Sequence, residues 1–291
     1  MNVTDAGLLC DLHMHSTASD GTLSPRELAQ EAIARGLGAA ALTDHNTTAG
    51  LPDFLRALAG SRVTAVAGAE LTTVHQGREL HLLALFLPEA SFPALEAFTQ
   101  TFQARKRENT LSLAGRLGRA GYPISREDLA EAFPDAFINR SHVARILTAR
   151  GAVPSVSAAF ATLLSPTAGF YSEPERPGFL ETIPQIQSLG ALAVWAHPVL
   201  SVGMEQVQAL LPQFAAAGLD GVETICPNDT AEQAALLGAL AAQLGLLPSG
   251  GSDYHGSAKP GLSMMTGYGS MRVPAEYARA LQAAALKRQT I

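Results

Sequence analysis

Seven short apolar runs, GLLCDL, AAALT, VTAVAGAEL, LHLLALFL, ALAVWAH, DGVET and LLPSGGSD, alternate along this chain with segments whose apolar residues recur at helical spacing. Such an alternation predicts parallel strands joined by helical crossovers, an α/β protein in which all the strands share one sheet or barrel. The first helix is clearly punctuated: Ser24 as cap, Pro25 in the first turn, Glu27 completing a capping box and Gly36 as the stop. Further helices are expected at about 48–59, 204–217, 229–244 and 274–288. Between Leu95 and Leu189 strand-like runs vanish, and the text reads as helices broken by AGYP, AFPDAF, RGAVPS, LLSPTAGF and SEPERPG. Residues 96–189 are therefore expected to form an inserted helical subdomain, with 1–95 and 190–291 building the barrel.

Composition supports a large packed core: 47% of the 291 residues are hydrophobic and 16% charged. No run approaches the ~18 uninterrupted apolar residues of a membrane span, and no basic stretch followed by an apolar core opens the chain, so the expected setting is the cytoplasm, without a membrane. Cys10 and Cys226 lie far apart in sequence and read as small buried residues rather than a disulfide or thiolate metal site. The net charge of −6 conceals an asymmetry, because residues 101–150 carry nine Lys/Arg against five Asp/Glu, +4, which leaves −10 for the remainder. RKR at Arg105 to Arg107 is ordinary for a solvated helix face. A basic insertion beside an anion-processing site would instead act as an anion-attracting cap.

Histidines and carboxylates cluster at the strand ends. His13 and His15 end the first strand, with Asp20 five residues on; His45 follows the second, Glu70 ends the third, His81 lies in the fourth, His197 closes the fifth, and Asp253 with His255 closes the last. His81 or Glu70 alone reads as a core or strand-end residue. His13 and His15, two apart on a strand, point the same way, and side chains from several parallel strand ends converge on one face. His75, in TTVHQGREL, is left as a surface loop residue. Imidazole and carboxylate without thiolate suit manganese, zinc or iron, and nine candidate ligands fit two or three ions.

In that order, DLHMHS, LTDHNT, GAEL, LHLLAL, AHP and GSDYHG resemble the polymerase and histidinol phosphatase (PHP) superfamily of metal-dependent phosphoesterases, over residues 8–95 and 190–256. The resemblance implies a distorted (β/α)7 barrel with a trinuclear metal centre. It implies that His13, His15, Glu70 and Asp253 hold one metal, that Glu70 bridges to a second held by His81 and His197, and that Asp20, His45 and His255 hold the third. Many relatives carry histidine where this chain has Asp20; a carboxylate is a harder ligand, favouring manganese or magnesium. STASDGTLSP with INRSHVARIL is similar to a subfamily of nucleoside 3',5'-bisphosphate phosphatases that also trim RNA from the 5' end. On that resemblance Asn139, Arg140 and His142 are expected to contact the substrate phosphate, with Lys259 a further candidate. Where such relatives have an arginine-containing loop, this chain reads PGLSMMTGYG.

The expected reaction is phosphomonoester hydrolysis, with hydroxide generated on two or three divalent ions, manganese first. Asp20, His45 and His255 are the candidate catalytic residues, His255 or His45 supplying a proton to the leaving oxygen. The expected partner is a phosphorylated small molecule, a nucleotide or short RNA end, and no protein partner is implied. The alternatives are histidinol phosphate as substrate, a polymerase proofreading module, for which the chain has no room, and a binding module without turnover.

Overall fold

The structure, a computed structural model, describes residues 8–134, 137–172 and 175–290. The breaks AFPDAF and SEPERPG and the start of GLLCDL each include residues outside this range. Among the described residues the seven apolar runs become β1 (Cys10–Asp11), β2 (Ala39–Leu42), β3 (Thr64–His75), β4 (Arg78–Leu85), β5 (Leu192–Trp195), β6 (Gly221–Ile225) and β7 (Leu247–Gly250), neighbours in chain order within one sheet. Past β1 and β7 the sheet nearly closes on itself: Leu12 N–H donates to the Gly250 carbonyl at 3.2 Å, and His15 N–H to the Tyr254 carbonyl at 2.8 Å. This is a nearly closed α/β barrel.

The strands are not all parallel. β4 runs antiparallel to both β3 and β5, while the other pairings are parallel. Only Gln76 and Gly77 separate His75 from Arg78, and both lie in the left-handed region, at φ 49° and 77°. A two-residue turn of that kind closes a hairpin, whereas a parallel return needs a dozen or more residues. As a result β4 begins, rather than ends, at the mouth of the barrel, which is how His81 arrives there. Nor does Glu70 end its strand: β3 continues to His75, and Glu70 sits mid-strand, bridged to His45.

Helices α1 (Pro25–Ala34) and α2 (Leu51–Leu58) follow the first two strands. Ser24 and Glu27 form the expected capping box, and Gly36 takes φ 69°. α3 (Phe92–Arg119), α4 (Arg126–Ala132), α5 (Arg140–Ala149), α6 (Val156–Ala161) and α7 (Phe179–Ser188) come before β5. α8 (Pro198–Val202), α9 (Met204–Ala216), α10 (Ala231–Gln243) and α11 (Ala275–Gln289) complete the chain. β2 shows how a sheet divides its residues: Ala40 and Leu42 join one core cluster while Ala39 and Ala41 join another that is closed by Leu281 and Ala285 of α11. Phe179 stacks on Phe214 at 4.2 Å, with Trp195 edge-on to Phe214 at 4.9 Å.

A third cluster, including Leu113, Leu117, Leu129, Val143 and Leu147, lies among α3 to α6. α3 starts in the barrel core with Phe92 and Leu95, and Phe179, Ile183 and Ile186 of α7 pack there as well. No helix among the described residues is long and apolar enough to cross a membrane.

Candidate metal centre

The nine candidate ligands meet at one end of the barrel, five of the imidazoles on Glu70. Its Oε2 lies 3.3 Å from His13 Nε2, 3.2 Å from His15 Nε2 and 3.0 Å from His45 Nδ1. Its Oε1 lies 2.7 Å from His81 Nδ1 and 2.9 Å from His197 Nε2. Asp253 Oδ1 stands 3.3 Å from His15 Nε2, and Asp20 Oδ1 stands 3.1 Å from His255 Nε2 and 3.8 Å from His45 Nε2. Three overlapping groups have mutually close donor atoms: His13, His15, Glu70 and Asp253; His15, Asp20, His45 and His255; and His45, Glu70 and His81. The structure thus gathers the first and third expected sets and adds His15 to the third. In the second, His197 keeps its contact with Glu70, and His45 also reaches that carboxylate.

The backbone is bent to aim these side chains. Asn46, His197 and Asp253 adopt φ of 55°, 30° and 50°, a conformation costly for side-chain-bearing residues and typical of functional sites. Gly251 lets the chain after β7 lie against His13, whose backbone a Cβ there would strike.

Whether the pocket fits metal ions can be judged from its unpaired atoms. His13 Nε2, His15 Nε2, Asp20 Oδ1, His45 Nδ1 and Glu70 Oε2 are buried without a hydrogen-bond partner and face one another. Each such atom costs about 1–3 kcal/mol unless something satisfies it. Divalent ions would, and the nitrogen and oxygen donors, with Cys10 and Cys226 buried and free, suit them. Charge inside the cluster is finely balanced. Burial would raise Glu70, but His81, His45 and His13 hold it well below the usual carboxylate range. Asp20 is held low against burial by His255 and His45. Burial would depress His81 and His15, yet Glu70 and Glu79 lift His81 to about 10, and Asp253 and Glu70 lift His15 to about 9. His255 is pushed down to about 4 by burial and by Lys259.

Several residues that serve this cluster went unseen in the sequence. Buried Glu223, on β6, lies 3.2 Å from His13 Nδ1 through either oxygen and accepts from His197 N–H at 2.7 Å. Asp44 accepts from Ser16 N–H at 2.8 Å and from Ser19 Oγ at 2.5 Å, and Ser19 Oγ lies 3.4 Å from His15 Nδ1. Glu79 lies 3.2 Å from His81 Nε2, and Ser201 Oγ 3.0 Å from His197 Nδ1. Such oxygens fix the tautomer and orientation of metal-binding imidazoles.

Under α3 and α5 a cavity of about 150 Å³ opens onto Asp20, His45 and His81, with Lys106, Asn139, Arg140, Ser141 and Glu79 in its walls. The Arg140 guanidinium lies over the Tyr171 ring at 4.3 Å and 3.7 Å from Glu79 Oε2. Lys106 is not on the solvated face that RKR suggested: it is 5% exposed, 3.4 Å from the Tyr171 hydroxyl, and burial lowers its ammonium to about 8. Its burial alongside Phe102, Thr110 and Leu113 was legible as helical spacing. Asn139 caps α5 and donates to Asp20 Oδ2 at 2.9 Å. His142 does not face the cavity; it is buried, and its Nδ1 accepts from Asn139 N–H at 3.1 Å. Lys259 pairs with Asp253, on the other side of the cluster. His75 packs edge-on against Phe214 at 5.0 Å, outside the centre.

A sequence profile described as PHP domain matches residues 11–146. A 5'-3' exoribonuclease of Haemophilus influenzae is 33% identical over 84% of this chain and 89% of its own. A phosphoribosyl 1,2-cyclic phosphate 1,2-diphosphodiesterase of Eggerthella lenta is also 33% identical, over 84% and 94% respectively. A 3',5'-nucleoside bisphosphate phosphatase of Chromobacterium violaceum is 30% identical over 86% and 88%. A solved structure described as a metal-dependent phosphoesterase, from Bifidobacterium adolescentis, superposes with a TM-score of 0.83 at 29% identity, covering 95% of this chain and 96% of that one.

Proposed function

Since this chain belongs to the PHP-domain family and is a phosphoesterase, we propose that its substrate is a nucleotide phosphomonoester, the 3'-phosphate of a nucleoside 3',5'-bisphosphate, with 5'-end trimming of short RNA as a second activity of the same centre. The observation that carries this reading is the cavity wall. Lys106 and Arg140, the latter paired with Glu79, line the same small pocket as Asp20, His45 and His81, so an anion with two phosphates can set one against those cations and the other against the metal-binding cluster.

In this reading His13, His15, Glu70 and Asp253 hold one ion. His81, His197 and Glu70 would hold a second, and Asp20, His45 and His255 would hold a third; manganese is the ion we favour. Divalent ions there supply Lewis-acid charge at the phosphoryl oxygens and bring the pKa of water from about 15.7 towards ~7. The chain itself positions. Arg140, braced on Tyr171, holds the remote phosphate, and Asn139 fixes Asp20 through its side-chain amide. His45 lines the cavity and His255, 3.1 Å from Asp20, does not, so of the two candidate acids His45 is the one placed to meet the leaving oxygen. Helices α3 to α6 lie over the centre as a cap that excludes bulk water.

Phosphate release with added manganese from 3'-phosphoadenosine 5'-phosphate and from histidinol phosphate, in parallel with mononucleotide release from a 5'-phosphorylated RNA oligomer, tests the reading. Preference for the bisphosphate is expected. Preference for histidinol phosphate would replace this substrate with an amino-alcohol phosphate, and release from none would turn the protein into a binding module.

A further inference from the structure

The cluster opens on a second side that the reading above leaves unused. Beside β5 to β7 lies a cavity of about 130 Å³ lined by His197, Asp253, Lys259, Leu262 and Tyr268 among others, and it shares no lining residue with the pocket under α3 and α5. His197 and Asp253 also face the imidazoles and carboxylates of the centre. On the rim stand Leu200 and Tyr268, 58% and 57% exposed, unusual for large apolar side chains.

The loop that presents Tyr268 is built to do so. Ser263 and Gly267 bond to each other, both at 2.8 Å, and Gly269 N–H donates to the Thr266 carbonyl at 2.8 Å. Gly267 sits at φ 55° with Pro227 so close that a Cβ would come within 3.1 Å of it. This is the PGLSMMTGYG stretch. An aromatic face beside a phosphoester centre is a platform for a nucleobase, whatever its sequence.

We propose that this groove receives the nucleoside on the far side of the scissile phosphate when the substrate is a phosphodiester, its base stacked on Tyr268. The inference rests on the reading above. With the 5'-phosphate and first nucleoside on the side of the pocket under α3 and α5, a bisphosphate has nothing to place in the groove. A 5'-phosphorylated dinucleotide carries a second nucleoside on its internal phosphate, and the groove is the other opening onto the centre. In the reaction, a water oxygen bonds to phosphorus and the bond from phosphorus to the 3'-oxygen breaks. One water proton ends on that oxygen, giving a 5'-mononucleotide, and the other leaves with or from the new 5'-phosphate of the second nucleoside.

The test compares kcat/KM for a 5'-phosphorylated dinucleotide and for a nucleoside 3',5'-bisphosphate, at one manganese concentration, in the parent protein, Tyr268→Ala and Tyr268→Phe. The ratio of dinucleotide to bisphosphate should fall about tenfold in Tyr268→Ala, the scale of one lost base stack, and return to the parent ratio in Tyr268→Phe. An unchanged ratio in Tyr268→Ala overturns the proposal. Parent protein that cleaves the bisphosphate but not the dinucleotide also overturns it while leaving the phosphatase reading intact; cleavage of neither removes both.

Discussion

Replacing Glu223 by glutamine probes how the barrel tunes its own ligands. The substitution nearly preserves shape but removes the charge and turns one acceptor into a donor. Glu223 accepts from His197 N–H at 2.7 Å and lies 3.2 Å from the His13 ring and 3.8 Å from the Cys226 thiol, and it is fully buried. A glutamine carbonyl in the place of Oε2 still reaches both His197 N–H and the His13 ring, but its amide then stands where Oε1 did, 3.2 Å from the His13 ring, a donor in place of a charged acceptor. The loss is one charge-assisted hydrogen bond, about 1.5–3 kcal/mol, which at about 1.4 kcal/mol per decade is roughly 10- to 100-fold. That falls on metal affinity, because His13 loses the partner that holds its metal-facing nitrogen in place. Titrating metal-stripped protein with manganese, and following activity against free metal in parallel, should show the curve displaced 10- to 100-fold to higher concentration, with activity recovering at saturation. An undisplaced curve would refute the reasoning that Glu223 orients the ligands.

Three further outcomes follow from the same geometry. Asp20→Ala should lower turnover and remove about one metal per chain, measured by elemental analysis, without unfolding the barrel; unchanged metal content would take Asp20 out of the ligand set. Arg140→Ala should weaken saturation by the bisphosphate by about 1.5–3 kcal/mol, and identical saturation would remove that residue from substrate binding. His15 and His81, lifted to about 9 and 10, carry protons in the metal-free protein below those values. Metal binding at pH 7 should therefore release protons, and affinity should rise as pH climbs towards 9; calorimetry in buffers of different ionisation enthalpy that finds no release would contradict this.

The strands were legible because each is a short apolar run between turn residues, and the ligands because histidine and carboxylate recur beside those runs. The direction of β4 was hidden in Gln76, a residue with no special preference for the left-handed region its turn requires. Glu223 was invisible for another reason: it belongs to an apolar strand, and its partner His13 is 210 residues away in sequence. Lys106 had a usable signal in the buried spacing of Phe102, Thr110 and Leu113, which the charge of its neighbours Arg105 and Arg107 obscured. His142 occupies the third helical position after Asn139, where a side chain turns back to the cap rather than outward to a substrate.

The central claim is that separate strands and the loops beside them bring nine side chains around a small group of divalent ions centred on Glu70. Anomalous diffraction from crystals grown with manganese addresses it directly. The account requires at least two peaks flanking the Glu70 carboxylate, within coordination distance of His13, His81 and Asp253. Peaks elsewhere, with none beside Glu70, would contradict it.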